Sequence, residues 1–484
     1  MKTKLILKDE VNCKFEGLAL TTRRTLEKKL KFFMPYAYHV PAYKLGRWDG
    51  CVGYFTMGGA TFVNCLPYIL PVLEEEGYDI DIEDSRESHD FKFDLVTETL
   101  FQNRTWPQRH PQAGEPIVLR DYQVEVINQF LQTPHCLQEI ATGAGKTLIT
   151  AALSYMCEPY GRTIVIVPNK DLVTQTESDY INLGLDVGVY FGDRKELGKT
   201  HTICTWQSLN VLEKRFRDGL SDNGLHDFAE GVVCVMVDEV HQAKADVLKK
   251  LLTGAFSRIP IRWGLTGTIP KAEYERLSLE VSLGEVVNKL AANELQDIGV
   301  LANCDVNVLQ LQDSVSYGDY QSELTYLTTN KDRLDYMASI IKRFSESGNT
   351  LVLVDRIKAG EGLLERLGED TVFVSGSMKS KDRKSEYDEI SDTDNKIIVA
   401  TYGVAAVGIN IPRIFNLVLI EPGKSFVRVI QSIGRGIRRA QDKDHVQIWD
   451  ITSSAKFSKR HLTERKKFYR EAKYPFHIEK VKYK

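Results

Sequence analysis

The stretch EIATGAGKT, residues 139 to 147, opens the apolar helical pattern TLITAALSYM. Its glycines let backbone N–H groups close around phosphates, its lysine can reach β and γ phosphates, and its threonine can hold Mg²⁺. The strict pattern G-x-x-x-x-G-K-T places a glycine where Ile140 stands, so the match departs at one position. A glycine-rich helix start without a ligand is the alternative. The candidate nucleotide contacts of this stretch are Thr142, Gly143, Ala144, Gly145, Lys146 and Thr147.

A second stretch, VCVMVDEVH at residues 233 to 241, predicts a buried strand that ends in two acids. Asp238 suits the ligand sphere of Mg²⁺, and Glu239 suits a base that orients the attacking water. A D-E pair after a strand is common by chance, whereas D-E-x-H some ninety residues after G-K-T is specific. His241 fits either a packed core histidine or a nucleotide sensor that contacts LTGT at 265 to 268.

The third stretch, IQSIGRGIRR at residues 430 to 439, places Arg435 and Arg438 three residues apart on one helix face. A guanidinium directed at a γ-phosphate raises the rate by roughly 10³ to 10⁵. A solvated basic face is the alternative, and Arg439 fits that or a nucleic-acid contact.

Around these stretches, short β-branched runs alternate with helical patterns from residue 113 onward, which indicates βαβ units and buried parallel sheets. The alternation occurs twice, so we predict an α/β fold with two parallel-sheet lobes, residues 113–305 and 306–484. The predicted strands are TIVIV (163–167), TIC (202–204), VVCVMV (232–237), RWGLTG (262–267), TLVLVD (350–355), TVFVSG (371–376), KIIVAT (396–401), NLVLI (416–420) and HVQIWD (445–450).

Residues 1–105 predict a small α+β domain, joined through an acidic linker at about 81–112. In TRRTLEKKLKFFM we expect a helix that presents Arg24, Lys28 and Lys31 on one face. The strict alternation of YDIDIED predicts an edge strand.

The net charge of −3 means that a polyanion must be met by local patches. Residues 1–73 carry eleven basic against five acidic side chains, and residues 454–484 carry eleven against three. For the basic C-terminal helical tail, a solvated helix and a surface that follows a DNA backbone fit equally.

The eight cysteines show no C-x-x-C or histidine-associated spacing, so we expect reduced thiols rather than a zinc site or a disulfide framework. The N-terminus lacks the pattern of a signal peptide, and no apolar run approaches the roughly 20 residues of a membrane span. We therefore expect a cytoplasmic protein without a membrane partner.

In chain order the sequence carries LRDYQ, ATGAGKT, VPNKDLVTQ, TWQSL, VDEVH, LTGT, VATYGVAAVGINIP and QSIGRGIRR. This ordered set, over about residues 115 to 452, resembles the motif set of superfamily 2 helicases and translocases. The resemblance implies two RecA-like lobes that use ATP and Mg²⁺ and act on nucleic acid.

The resemblance also implies residue roles. Gln123 would read the adenine, Thr266 and Thr268 would couple the lobes, and Gly408 and Asn410 would approach the nucleotide. The residues that would complete hydrolysis are Lys146, Asp238, Glu239, His241, Gln431, Arg435 and Arg438. The nucleic-acid contacts would be Pro168, Asn169, Lys170, Thr205, Trp206, Gln207, Arg356, Ser375, Gly376 and Thr401.

The D-E-x-H form, TWQSL and QSIGRGIRR depart from the D-E-A-D RNA helicases. They resemble the DNA-directed branch that includes UvsW-type phage recombination helicases, the repair helicase XPB and type I restriction motors. This implies a monomeric ATP-dependent DNA helicase or translocase that remodels forks, D-loops or Holliday junctions in recombination, repair or replication. A phage source would place it in the host cytoplasm. A general translocase on single-stranded DNA or RNA and an ATP-switched clamp are the alternatives.

YKLGRWDGCVGYF, residues 43 to 55, resembles part of the small N-terminal domain of UvsW-type helicases. Trp48 offers an apolar face for packing or for stacking, and Lys44 and Arg47 offer phosphate contacts. We favour the interpretation as scaffold, with Trp48 packed in the core. The basic helix beside it, through Lys28 and Lys31, is then the better candidate for contacting DNA.

Overall fold

A computed structural model describes residues 1–483 except 109, 111, 241–244, 370, 377, 379, 409–410, 412 and 441. It leaves out the side chains of residues 245–246, 380–381, 383–384, 388, 391, 406–408, 426–427, 430–431 and 435. The chain divides into two compact units. Unit 1 contains Met1–Pro107, Gly114–Glu139 and Thr147–Lys289, and unit 2 contains Gln108–Ala113, Ile140–Lys146 and Leu290–Lys484.

The first domain is a small α+β layer with strand order β5-β2-β1-β6 and a separate β3-β4 ribbon. Leu5 and Leu7 on β1 face the same core as Cys13 and Phe15 on β2, because alternate residues of a strand share a face. The predicted edge strand is confirmed, since β6 pairs parallel with β1 at the end of the sheet. Its elements are β1 Lys2–Leu7, β2 Asn12–Glu16, α1 Leu20–Lys29, β3 Lys31–Phe33, a 3₁₀ helix Pro35–His39, α2 Pro41–Lys44, β4 Cys51–Gly53, β5 Ala60–Phe62, a 3₁₀ helix Val63–Cys65, α3 Leu66–Glu75 and β6 Asp79–Asp84.

The second sheet has the strand order β10-β9-β11-β8-β12-β13-β7-β14. Its central strands are parallel and buried on both faces, which confirms the predicted βαβ units. Its elements are α4 Asp121–Gln132, β7 His135–Ile140, α5 Lys146–Cys157, β8 Arg162–Val167, α6 Lys170–Asn182, β9 Val187–Phe191, β10 Arg194–Lys195, β11 His201–Thr205, α7 Trp206–Arg217, α8 Leu225–Phe228, β12 Val232–Asp238, α9 Ala245–Thr253, β13 Ile261–Thr266, α10 Glu273–Leu283 and β14 Glu285–Leu290.

The third sheet repeats this architecture in unit 2, with the strand order β17-β18-β16-β19-β20-β15-β21. The apolar face of helix α13 packs on the buried strands of the third sheet, and the two share one hydrophobic core. Its elements are α11 Ala292–Asp297, β15 Asn303–Leu311, α12 Tyr320–Thr329, α13 Lys331–Ser345, β16 Thr350–Val354, α14 Ile357–Leu367, β17 Thr371–Val374, α15 Ser380–Ser391, β18 Ile397–Thr401, α16 Tyr402–Gly408, β19 Asn416–Ile420, α17 Phe426–Gly436, β20 His445–Ser453, α18 Lys456–Glu471 and β21 Phe476–Val481.

The first domain shares its hydrophobic core with helix α10. Leu277 and Val281 of α10 are buried among the apolar side chains of that domain. The hydroxyl of Tyr54 donates to the backbone carbonyl of Tyr274 at 3.0 Å. The side-chain amide of Asn64 donates to the backbone carbonyl of Glu280 at 2.8 Å. The first domain and the second sheet are therefore parts of one packed unit.

The expected helix through TRRTLEKKLKFFM is wrong at its C-terminal end. Helix α1 ends at Lys29, and the Leu30 N–H closes its last turn on the carbonyl of Leu26 at 3.0 Å. Lys31 and Phe33 instead belong to β3, which pairs antiparallel with β4. Pairing with a strand twenty residues away outweighs the local helical pattern, because tertiary contacts override propensity.

The C-terminal segment continues beyond the predicted helical tail. Helix α18 is followed by β21, which joins the third sheet by parallel pairing with β15. One face of α18 is buried, where the Arg465 guanidinium contacts Asp450 at 2.8 Å and the Tyr469 hydroxyl donates to the same carboxylate at 2.7 Å. The exposed face carries the basic side chains Lys456, Lys459, Arg460, Lys467 and Arg470.

The predicted linker at about 81–112 is divided: its first residues, 81–84, are the end of β6, and residues 91–96 pack on elements of the second sheet. Phe91 and Phe93 pack edge-on against Tyr160, with ring centroids 5.3 and 5.2 Å apart, and the Val96 N–H donates to Asn128 at 2.8 Å. Among the described residues, no helix combines the length and apolar composition that a membrane crossing requires.

Candidate nucleotide site and nucleic-acid interface

The phosphate-loop stretch connects β7 to α5. Gly143 and Gly145 adopt φ of 91° and 85°, in the left-handed region that favours glycine. A Cβ on Gly143 would lie 2.7 Å from a methyl carbon of Leu301 and 3.8 Å from Cγ of Arg438. Leu301 and Arg438 belong, like the loop, to unit 2. Position 143 therefore favours glycine. A loop with such backbone angles can direct successive N–H groups towards a phosphate.

The departure at Ile140 has a structural reason. Ile140 is the last residue of the strand β7, and its side chain is fully buried. An extended strand residue does not need the left-handed backbone that favours glycine. Lys146 is buried as well, and its ammonium donates to the carbonyl of Ile140 at 3.4 Å. The apolar strand end therefore anchors the lysine of the loop.

Asp238 and Glu239 stand at the carboxyl end of β12. Glu239 adopts φ of 51°, uncommon for a residue with a side chain and costing about 1 to 3 kcal/mol. Its N–H donates to Oδ1 of Asp238 at 2.8 Å, and its carboxylate accepts the Gly267 N–H at 3.4 Å. Both side chains are buried. Backbone strain beside two buried carboxylates is typical of a catalytic position.

The LTGT stretch forms the other side of this contact. The Thr266 hydroxyl donates to the carbonyl of Thr268 at 3.0 Å and accepts the Thr268 N–H at 3.3 Å. Among the described residues, the buried hydroxyl of Thr268 has no hydrogen-bond partner. Glu239 is thus connected through Gly267 to a stiff, polar turn.

The oxygen ligands present suit Mg²⁺. In the part of the chain that the structure describes, no three His, Cys, Asp or Glu side chains come together as a metal site. Mg²⁺ bound with a nucleotide needs few protein ligands, because it keeps several waters and takes phosphate oxygens. The buried carboxylate of Asp238 and the hydroxyl of Thr147 in the first turn of α5 fit that role.

The remaining predicted nucleotide contacts lie at element ends. Gln123 is buried in the first turn of α4, where its Oε1 accepts the Arg120 N–H at 2.9 Å. Gly408 ends α16. His241 and Asn410 lie outside the described residues, and so do the side chains of Gln431 and Arg435 on α17.

The predicted placement of Arg435 and Arg438 on one helix face is wrong, because α17 ends at Gly436 and Arg438 lies beyond it, where its backbone pairs with that of Leu301. The adjacent Arg439 donates to the carbonyl of Gly299. Lys443, which the sequence analysis missed, is buried and donates to the carbonyls of Gly436 at 2.6 Å and Arg438 at 2.7 Å. Burial, with a smaller contribution from Arg438, lowers the pKa of Lys443 to about 7. No motif marks Lys443, because it stands in the charged loop QDKDH.

In the second sheet the predicted nucleic-acid contacts meet at one edge. β8 and β11 are parallel neighbours that end at Val167 and Thr205, so the residues that follow them lie side by side. The side-chain amide of Gln207 donates to the carbonyl of Pro168 at 3.2 Å. Asn169 caps α6, Thr205 caps α7, and Lys170 is exposed. The indole N–H of Trp206 is buried and has no hydrogen-bond partner among the described residues.

The third sheet repeats this pattern. Ser375 and Gly376 follow β17, Thr401 ends β18 and Arg356 follows β16, and these strands are parallel neighbours. The guanidinium of Arg356 already donates to the hydroxyl of Thr325 at 2.6 Å and to the side chain of Gln321. Each sheet therefore carries a cluster of the predicted contacts at its carboxyl edge.

The two lysines predicted to contact DNA in the first domain differ. Lys28 is exposed near the end of α1, as is Arg24. Lys31 lies instead in β3 and forms an ion pair with Asp49 at 2.7 Å. The carboxylate of Asp49 already neutralises the charge of Lys31, which weakens the attraction of Lys31 to a phosphate. Lys28 is therefore the stronger candidate for a DNA contact.

Comparison with known proteins matches two regions of the chain to protein families. Residues 116–271 match the family described as type III restriction enzyme, res subunit, and residues 332–440 match the helicase conserved C-terminal domain. The two regions together cover more than half of the chain.

Individual relatives agree. The ATP-dependent DNA helicase uvsW of Enterobacteria phage T4 is 24% identical over 368 residues, which is 72% of this chain and 71% of that protein. The DNA 3'-5' helicase XPB of Kineococcus radiotolerans is 22% identical over 379 residues, 76% of this chain and 65% of that protein. Against other relatives the chain spans about half of their length.

A solved structure shows the same fold. The ATP-dependent type ISP restriction-modification enzyme LlaBIII bound to DNA has a TM-score of 0.59 and 14% identity, over 84% of this chain and 34% of that one. Two RecA-like parallel sheets, the two matched families and these relatives agree, and the chain belongs to superfamily 2 of the helicases, which are ATP-dependent enzymes.

Proposed function

We propose that the protein is an ATP-driven motor that unwinds or remodels branched DNA, such as forks, D-loops and four-way junctions. The observation that carries this proposal is that the first domain, whose residues 1–73 carry eleven basic against five acidic side chains, is joined to the second sheet through the shared core at Leu277 and Val281. A DNA-binding domain so fixed can hold a branch while the motor works.

The hydrolytic step follows from the residues at the end of β12. Glu239, whose carboxylate accepts the Gly267 N–H, would accept a proton from the attacking water, and Lys146 would neutralise phosphate charge. Mg²⁺, held by Asp238 and Thr147, would supply charge stabilisation at the phosphates. Arg438 is the candidate for stabilising the γ-phosphate. Its backbone carbonyl, like that of Gly436 at the end of α17, accepts a hydrogen bond from Lys443.

Movement along a strand requires that ATP binding alter the grip on nucleic acid. The clusters at the carboxyl edges of the second and third sheets supply two such grips. Because their side chains and helix starts suit phosphates more than bases, they favour a motor without sequence preference. All of these residues lie on one chain, so we propose that it acts as a monomer, which sedimentation with and without DNA tests.

DNA is the proposed polymer because the relatives reported above are named as DNA helicases, or were solved bound to DNA. The test is the steady-state ATPase rate of the full chain with single-stranded DNA, linear duplex, a four-way junction and single-stranded RNA. We expect the junction to stimulate most. Equal stimulation by DNA and RNA single strands would instead indicate a general translocase, and a rate near background with every polymer would indicate an ATP-switched clamp.

A further inference from the structure

The segment from Tyr38 to Asp49 forms an open cleft on the first domain, with a volume of about 640 Å³. Three aromatic side chains, Tyr38, Tyr43 and Trp48, and three charged ones, Lys44, Arg47 and Asp49, line it. We call it the aromatic cleft. The sequence pattern favours a scaffold with Trp48 in the core, but Trp48 is only half-buried.

The rings of the aromatic cleft hold one another in place. Tyr43 packs edge-to-face on Tyr38 at 5.5 Å and on Trp48 at 6.5 Å between ring centroids. The indole N–H of Trp48 donates to the carbonyl of Cys51 at 3.0 Å. Gly50, with φ of 76°, leaves room for this arrangement, since a Cβ there would lie 2.9 Å from the ring of Tyr43. The cleft is therefore preformed.

Tyr38 is exposed, and Tyr43 and Trp48 are half-buried, although the domain has a core elsewhere. Tyr38 is 58% exposed, and Leu45 beside it is 65% exposed. The core of the domain is built from other rings, among them Tyr54 and Phe55. A cluster of exposed apolar side chains beside a complete core marks a binding surface.

The charges around the aromatic cleft favour an anionic ligand. The Asp49 carboxylate is ion-paired with Lys31 at 2.7 Å, and that hydrogen bond lowers the pKa of Asp49. Lys44 and Arg47 are exposed at the rim, and within the described residues neither takes part in an ion pair. The cleft thus combines aromatic surfaces with two available cations, as single-strand binding surfaces do.

We propose that the aromatic cleft binds one unpaired nucleobase of a DNA strand by stacking on Tyr38, while Lys44 and Arg47 contact the flanking phosphates. The proposal rests on the proposed function for its ligand class and adds a site for it. A branch point exposes such a base, whereas a continuous duplex does not. The site would let the first domain select branched over linear DNA.

The test is a binding titration of the full chain without ATP. The probe is a forked DNA with 2-aminopurine at the first unpaired position, and the matched probe is abasic there. The variant is Tyr38→Ala, chosen because an exposed ring is removed without opening a core. Tyr38→Phe tests rescue by a conserved ring, and Tyr36→Ala is the control, an exposed tyrosine outside the cleft.

We expect the wild type, Tyr38→Phe and Tyr36→Ala to quench 2-aminopurine fluorescence. Tyr38→Ala should lose the quenching and bind the fork about 5-fold to 100-fold more weakly. On the abasic probe Tyr38→Ala should bind like the wild type. An equal loss on both probes, or no loss on either, would overturn the proposal, the latter leaving the cleft to a protein partner. Because the titration contains no ATP, it is independent of the ATPase test of the proposed motor.

Discussion

Glu239 combines strain, burial and charge at a single position. A left-handed backbone with a long side chain is maintained only where surrounding contacts compensate, here the hydrogen bonds to Asp238 and Gly267. This links local backbone geometry to the proposed role of a base.

Replacing Glu239 with glutamine should therefore lower kcat of the ATPase by about 10²-fold to 10⁴-fold, since the amide cannot accept the proton. Binding of ATP, measured by equilibrium titration, should remain. Glu361→Gln, on the exposed side of α14, is the matched control and should leave kcat unchanged. A Glu239→Gln enzyme with more than half of the wild-type kcat would exclude the assigned role.

Lys28 and Lys31 are only three residues apart, but they differ in their partners. If Lys28 contacts a phosphate, Lys28→Gln should reduce the slope of log K against log[salt] for fork binding by about 0.9. Lys31→Gln should leave the slope unchanged, because Asp49 already balances the Lys31 charge. Anisotropy titrations between 50 and about 200 mM salt measure both. Equal changes would show that the ion pair does not matter.

At the scale of elements, the C-terminus of α17 depends on Lys443. Its ammonium satisfies the carbonyl of Gly436, the last residue of the helix, and the carbonyl of Arg438 two residues beyond. Carbonyl groups at a helix end lack partners inside the helix. Lys443 therefore positions Arg438 through the backbone, without a contact to substrate of its own.

The pKa of Lys443 predicts a pH dependence. It is about 7 in the folded chain against 10.5 ordinarily, so between these values the unfolded chain binds the extra proton. The free energy of unfolding should thus rise with pH above 7, and this contribution is lost as the pH falls towards 7. Relative to Lys443→Met, the wild type should gain up to about 1.4 kcal/mol per pH unit.

Urea denaturation of both proteins at pH 7, 8 and 9 measures that gain. Lys467→Met, which removes an exposed lysine of α18, serves as the control and should follow the wild type at every pH. Parallel curves for Lys443→Met and the wild type would contradict the assignment. The same variant should lower kcat/KM of the ATPase, because Arg438 loses a fixed backbone.

At the scale of the whole molecule, the first domain and the second sheet share one core. Leu277 is 3% exposed and is buried in one cluster with side chains of the first domain. Removing residues 1–105 would expose Leu277, Val281 and the backbone groups that Tyr54 and Asn64 contact. Truncation therefore exposes apolar and polar groups of α10 that are buried in the full chain, in addition to removing the first domain.

In the full chain, Leu277→Ala should lower the free energy of unfolding by about 2 to 5 kcal/mol. In a chain that begins at residue 106 the same substitution should cost close to nothing. Leu324→Ala, in the buried face of α12, is the control and should cost the same in both chains. Denaturant titrations give all four differences. An equal cost of Leu277→Ala in both chains would mean that the first domain does not stabilise α10.

Local sequence patterns predict the parallel sheets, the phosphate-loop stretch and the D-E pair at the end of β12. These features follow from local rules, because strand patterns, glycine positions and helix starts depend on residues a few places apart. The roles of the candidate residues in ATP hydrolysis and DNA binding stay predictions that the experiments above test.

Other features depend on tertiary contacts: Lys31 belongs to a strand and pairs with Asp49, Lys443 caps α17, and the aromatic cleft lies outside the core. Tertiary contacts also complete the first domain with α10. The physical reason is distance along the chain: Asn12 donates to the carbonyl of Thr253 at 2.9 Å across 241 positions, and no local pattern encodes such a contact.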